Sequence, residues 1–541
     1  MLDPSFYPHD PDGVELIQTH ISYVFLAGDR VYKVKKTVRF SFLDFSTIAR
    51  RRYYCHEEVR LNRRLAADVY VGVVAIREIE GVFSLASGAD PLSLASQGDP
   101  LSLASEENPD VVDYAVVMRR LPEEQMFSAI LARGEAEERH VDAIAERLVE
   151  FHRGAEAGPD ITANGDPTRI REAMDADFAE SYRYRGRTIS QDDDRAIQRF
   201  CHDYLATRES LLRKRQAEGR IRDCHGDLRA EHVCFAGRLT VIDCIEFEPR
   251  FRYRDVAAEI AFLAMDIEDL GYKELARLLV RRYSELAADP DLPSLVPFYG
   301  CHLAYIRGKV DSLKSLEEEV GEAGRSAAES SARHHFALAH RLTWAYSPMV
   351  IAVCGLSGTG KTSVAEALAE RTGFAHLSSD VFRKKLAGHS TVRPAPAAAR
   401  ASLYSEEMGR RTYAAMMDEA ARHLRAGDGV VLDATFQRRA HRAPVYELAR
   451  ASGVPLLFAE CRCPEPEIRR RLDVRVRSAA GPSDADWDVY LAQRGAWEDP
   501  LADARDGWLV VDSSAVPESV ARGIEERAVA LAGGSLGGAH A

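Results

Sequence analysis

Residues 349–373 read MVIAVCGLSGTGKTSVAEALAERTG, and their order decides the second half of the chain. An apolar run of strand length leads into a glycine-rich loop, and a helical stretch leads out of it. The loop, residues 355–362, satisfies G-x-x-x-x-G-K-[ST] in full. Glycines 355, 358 and 360 let backbone N–H groups close around phosphate oxygens, and the N-terminus of the following helix adds a favourable field. Gly355, Leu356, Ser357, Gly358, Thr359, Gly360, Lys361, Thr362 and Ser363 are therefore the expected cradle for ATP. Lys361 is placed to reach the β- and γ-phosphates, and Thr362 to bind Mg²⁺.

Working outward, HLSSDVFRKKL (376–386) sets an Asp at a strand end three residues before an Arg. Asp380 is a candidate acceptor of a hydroxyl proton and Arg383 a candidate phosphate ligand; Asp380 equally suits a helix N-cap. VVLDATF (430–436) ends a strand on Asp433, a candidate Mg²⁺ holder through water. EIRRRLDVRVRS (467–478) is arginine-rich. Arg471 and Arg475, four apart, share a helix face that would stabilise charge on a transferred phosphoryl group; such a run also suits a solvated face.

These pieces, with GPSDADWDVY at 481–490, make residues 349–530 resemble the P-loop kinases that include polynucleotide kinase and zeta-toxin-like proteins. The resemblance implies an α/β fold with a parallel sheet and helices on both faces. It also implies Asp380 as general base, Arg383 on an acceptor phosphate, and a hydroxyl acceptor on a small molecule or a nucleic-acid 5′ end.

Upstream, residues 225–233 read HGDLRAEHV. Kinase-type loops place an acidic base and, five residues on, an amide that holds metal. Asp227 takes the first position and His232 the second. VIDCIEFEP (241–249) brings Asp243 to the end of an apolar strand, as a metal-holding carboxylate. THISYVFLAGDRVYKVKK (19–36) reads as a hairpin carrying Lys33 and Lys35 on one face, so both compete for the ATP-binding role. RYYCHEEVRLNRRL (52–65) is helical, with Glu58 the expected partner of the strand lysine. YAVVMRRLPEEQM (114–126) resembles an interlobe hinge.

Residues 14–310 thus resemble the aminoglycoside phosphotransferase and choline kinase family, which implies an α+β bilobal, protein-kinase-like fold. The expected organisation is a kinase-like domain over 1–345, a P-loop kinase domain over 349–530 and a tail over 531–541. The departure from the family pattern is His232 where Asn is usual. An amide oxygen suits Mg²⁺, whereas imidazole favours softer metals. Arg229, where a His is usual, adds a cation beside Asp227. Two further readings stay open: the N-terminal domain as the main small-molecule or antibiotic phosphotransferase, and an ATP-binding regulator with no acceptor.

Composition narrows the class. The net charge is −13, yet from residue 349 onward Lys+Arg and Asp+Glu are 25 each, so a broad basic nucleic-acid surface is not expected. No run of apolar residues is long enough to span a membrane. Nine scattered cysteines without CxxC spacing suit a reduced, cytoplasmic protein. Three nine-residue units, FSLASGADP, LSLASQGDP and LSLASEENP, span 83–109 between two strand-like runs and read as an expanded hairpin loop.

Overall fold

The computed structural model describes residues 1–40, 43–85, 110–317, 320–391, 400–478, 486–500 and 507–533. Most of the 83–109 repeat and of the 531–541 tail lies outside these residues. Two compact units are formed: Met1–Arg187 with Gln198–Ala332, and Thr188–Ile197 with Arg333–Ala541. This differs from the boundary expected near 345–349. Residues just before 349 belong to the second unit because Trp344 packs in its core against Phe374, with ring centroids 5.6 Å apart. Thr188–Ile197 joins it too, where Asp193 accepts a hydrogen bond from Arg371 Nη2 at 2.7 Å.

The first unit carries a six-stranded antiparallel sheet in the order β1-β2-β3-β6-β4-β5. Its strands are β1 (Val14–Gln18), β2 (Ser22–Ala27), β3 (Arg30–Lys35), β4 (Tyr70–Ile79), β5 (Val82–Leu85) and β6 (Val111–Arg119). Alternation along β3 sorts its side chains. Tyr32 and Val34 join one apolar cluster with Phe25, Ala115 and Val117. Lys33 and Lys35 point to the opposite face, where helix α1 (Ile48–Ala66) lays Cys55 and Val59 against Val73 and Val116. The rest of the unit is mainly helical and includes α2 (Val256–Asp269), a helix so apolar that only its C-terminal turn reaches solvent.

The second unit is a five-stranded parallel sheet in the order β8-β9-β7-β10-β11. Its strands are β7 (Val350–Cys354), β8 (Ala375–Ser378), β9 (Val430–Asp433), β10 (Leu456–Arg462) and β11 (Trp508–Asp512). Every residue of β7 is buried, as expected of a strand covered on both faces. Ile351 and Val353 pack beneath α3 (Lys361–Thr372) and the C-terminal helix Pro517–Gly533. Val350, Ala352 and Cys354 pack on the other face, against Met416, Ala420 and Val445. Cys461 is buried in the first of these layers, near the end of β10. Among the described residues no helix is long and apolar enough to cross a membrane.

Candidate functional site

In the second unit β7 lies between β9 and β10, so the loop leaving its C-terminal end opens where strand order reverses, the usual place for a ligand in an open parallel sheet. Gly355, Gly358 and Gly360 have φ of 139°, 82° and 91°, a backbone region that side chains resist. The outer side of the loop is tightly packed. A Cβ at Gly355 would meet the Cys461 carbonyl at 2.7 Å, and one at Gly358 would meet Ile468 Cγ2 at 2.9 Å. Ile468 belongs to α5 (Glu465–Ser478), which with α6 (Trp487–Gly495) forms a small apolar cluster against Leu356. The Ser357 N–H donates to Gln493 Oε1 at 2.8 Å. Lys361 and Thr362 open α3, and Ser363 sits on its exposed side.

Register then gathers the remaining groups. Asp433 pairs with Val353 on one side and Ser378 on the other, so the ends of three parallel strands lie side by side. Asp433 is buried, and its Oδ1 has no hydrogen-bond partner among the described residues. Burial alone would raise its pKa, but His376, whose Nε2 lies 3.6 Å from Oδ2, and the charge of Lys361 hold it below the ordinary value. Asp380 lies in the first turn of α4 (Ser379–Leu386), whose N-cap is Ser378. Arg383 Nη1 donates to Asp380 Oδ1 at 2.5 Å, and its guanidinium stacks over Tyr404 at 4.9 Å.

Arg471, expected on the transferred phosphate, is committed elsewhere. Nε donates to Glu467 Oε1 at 2.8 Å, Nη1 to the Thr359 carbonyl at 3.1 Å and Nη2 to the Ser513 carbonyl at 3.0 Å. The glycine at 360 leaves the space in which the guanidinium sits. The side chain of Arg475 lies outside the described residues.

In the first unit the expected groups also converge, but onto one another. Lys33 Nζ lies 2.6 Å from Asp243 Oδ1 and 2.9 Å from Glu58 Oε1. Lys35 Nζ donates to Glu58 Oε2 at 2.7 Å and also to Glu246. Lys35 is fully buried, so Lys33 is the lysine that faces the cleft carboxylate. Burial would lower the pKa of Lys33, but Asp243 and Glu58 raise it well above the ordinary value. Asp243 has φ 65°, a left-handed backbone that a non-glycine residue keeps only where its surroundings hold it.

Arg229 grips the expected base in a fork, with Nε 3.1 Å from Asp227 Oδ1 and Nη2 2.9 Å from Oδ2. Burial opposes ionisation of Asp227, but the Arg229 charge, the neighbouring His232 and the Arg229 hydrogen bonds together outweigh it and hold the pKa at about 2. His232 Nδ1 donates to the Asp227 carbonyl at 2.7 Å. A carbonyl only accepts, so this nitrogen carries the proton. The other, Nε2, faces Arg229 Nη2 at 3.4 Å and Asp243 Oδ2 at 3.8 Å.

The two sites differ as Mg²⁺ sites. Thr362 and Asp433 offer hard oxygen donors, one of them a buried carboxylate oxygen without a partner among the described residues, and this set fits the ion. In the first unit Asp243 offers oxygens, but the second expected ligand is an imidazole nitrogen directed at a guanidinium, which does not fit.

Sequence reasoning missed Glu246, Glu259, Gln493 and Ser513. Glu246 stands three residues after Asp243, and that proximity was an available signal. Glu259, on α2, accepts the Gly226 N–H at 2.9 Å and also the His225 N–H, which secures the 225–227 turn from below. Nothing local marks Gln493 or Ser513.

A kinase-type cleft and a phosphate loop on a parallel sheet define a two-unit ATP-dependent phosphotransferase. A family model described as "Phosphotransferase enzyme family" matches residues 27–298, and the chain belongs to that family. A model described as "AAA domain" matches residues 350–500. Uncharacterized proteins of Mycobacterium tuberculosis and Mycobacterium bovis are 29% identical over 484 residues, covering 89% of this chain and 90% of the relative. A gluconokinase structure from Sinorhizobium meliloti 1021 is 20% identical and covers 36% of this chain and 99% of its own, with a TM-score of 0.27. A choline/ethanolamine kinase family protein from Mesorhizobium loti is 12% identical and covers 62% of this chain and 95% of its own, with a TM-score of 0.34.

Proposed function

We propose that the second unit transfers the γ-phosphate of ATP to a hydroxyl group, and that the acceptor is a small molecule rather than a nucleic-acid 5′ end. What carries this reading is the strand register that sets Val353, Asp433 and Ser378 abreast, so that the segments bearing Lys361, Asp433 and Asp380 leave the sheet from one edge. The even balance of charge from residue 349 onward favours the small molecule.

Thr362 and Asp433 would hold Mg²⁺, which when bound neutralises charge on the β- and γ-phosphates. Lys361 binds the same phosphates as a point charge. Asp380 takes the proton of the acceptor hydroxyl as the new O–P bond forms and the bond to the ADP oxygen breaks. Arg383, tethered by Asp380 and Tyr404, is set to orient an anionic group of the acceptor.

The test is transfer of γ-labelled phosphate from ATP to pooled sugars, nucleosides, aminoglycosides and oligonucleotides. Asp380→Ala should lose at least 100-fold in rate while ATP binding persists. Unchanged transfer would sink the base assignment. A second reading places the chemistry in the first unit and draws support from the Lys33–Glu58 pair; it requires Asp227→Ala to abolish transfer. Slow ATP hydrolysis with no labelled acceptor would instead favour a nucleotide-dependent regulator.

A further inference from the structure

The Thr359 carbonyl of the phosphate loop is held by two side chains brought in from other elements. Arg471 Nη1 donates to it at 3.1 Å and Ser513 Oγ at 2.6 Å. Two donors occupy both lone pairs of a carbonyl oxygen. Ser513 has a single hydroxyl proton and also lies 2.9 Å from the Arg462 carbonyl. The Thr359 contact is the shorter of the two, and the Arg462 carbonyl is in any case held by the Ser513 backbone N–H at 2.8 Å, so the hydroxyl proton is assigned to Thr359.

A trans peptide holds its C=O and N–H on opposite sides. Holding the Thr359 carbonyl against Arg471 and Ser513 therefore aims the Gly360 N–H away from them, toward the hollow of the loop. Two further facts support a built arrangement. A Cβ at Gly360 would lie 2.7 Å from Arg471 Nη1, so glycine at 360 makes room for this arginine as well as for the φ of 91°. Arg471 is itself aimed by Glu467, one helical turn earlier, at 2.8 Å. Ser513 is buried just beyond β11, at a distance in sequence from any recognised motif.

We propose that Ser513 and Arg471 are positioning residues that lock the Thr359–Gly360 peptide in its phosphate-binding orientation, and that Arg471 acts through the loop rather than on the transferred phosphoryl group. The inference rests on nucleotide binding at this loop and on no particular acceptor.

The experiment is calorimetric titration of the full-length protein with ADP, in Mg²⁺ buffer, for wild type, Ser513→Ala, Ser513→Thr and Arg471→Lys. ATP turnover is measured alongside as KM and kcat. Ser513→Ala should weaken ADP binding roughly tenfold, about the effect of one hydrogen bond to an aligned group. Ser513→Thr keeps the hydroxyl and should restore most of that loss. Arg471→Lys keeps the charge but not the fork, and should lose ADP affinity with the change falling on KM for ATP. Circular dichroism of each variant separates loop misalignment from unfolding; if Ser513→Ala fails to fold, Arg471→Lys carries the test. Full ADP affinity in Arg471→Lys with a fall in kcat would overturn the proposal and return Arg471 to the phosphoryl group. Wild type that binds no ADP would overturn the nucleotide reading itself.

Discussion

The two phosphate-handling regions of this chain treat their charges in opposite ways. In the first unit each charged group meets another: Arg229 with Asp227, Lys33 with Asp243 and Glu58, Lys35 with Glu58 and Glu246. In the second, Asp380 is paired with Arg383, but the loop is braced from outside by Arg471, Ser513 and Gln493, and Asp433 has one carboxylate oxygen without a partner among the described residues. A buried charge is costly unless paired, so internal pairing stabilises a cleft, but any substrate or metal must then compete with the pair. Bracing from outside has no such cost, because the groups that hold the loop are not the groups that meet the ligand.

The largest effect that would break this contrast concerns activity. Lys361→Ala should lower phosphoryl transfer by about 100- to 1,000-fold, as expected when a preorganised charge on the phosphates is removed. A loss of that size in Asp227→Asn, with Lys361→Ala active, would reverse the roles of the two units.

The next effect concerns stability. Lys35→Met leaves Glu58 and Glu246 buried without their shared cation, and should cost about 3–5 kcal/mol in chemical denaturation of the first unit. Lys33→Met removes a pair whose Asp243 is half-exposed, and should cost about 1–2 kcal/mol. Equal costs would argue that both lysines are structural and that neither is set aside for ATP.

The smallest effect is a pH dependence. The folded pKa of Asp227, about 2, lies below the ordinary aspartate value. Its contribution is therefore fully present above about pH 4 and is lost as pH falls through about 2. Arg229→Ala removes the principal cause, so the Asp227 carboxyl should titrate higher and the acid-side loss should shrink. Carbon-13 NMR of aspartate side chains reads this directly. An Asp227 titration unmoved by the substitution would show that the fork does not hold the base.

Much of the second unit was legible because its evidence is local. An eight-residue loop between a strand and a helix contains its own phosphate-binding N–H groups, and Asp433 follows from a strand that ends on an acid. In the first unit, helix α1 and the strand alternation of β3 were likewise readable, as was the convergence of lysine with Glu58. What was not legible had no local pattern. The segment Thr188–Ile197 reads as an ordinary helix start within the first half, yet it joins the second unit through Asp193 and Arg371.

The sequence by itself determined which chemistry-bearing groups each segment carries: the glycine-rich loop at 355–362, the carboxylates of Asp380 and Asp227, the β3 lysines. Residue type and spacing within one element suffice for that. Only the tertiary structure decided which of those groups is free to act. It left Lys35 fully buried and Lys33 against Asp243, closed Arg229 over Asp227, and tied Arg471 to the Thr359 and Ser513 carbonyls. Each of these outcomes depends on a partner brought in from another element. Glu246 reaches Lys35 across 211 positions and Ser513 reaches Thr359 across 154, distances over which only the packed fold can hold a donor to an acceptor.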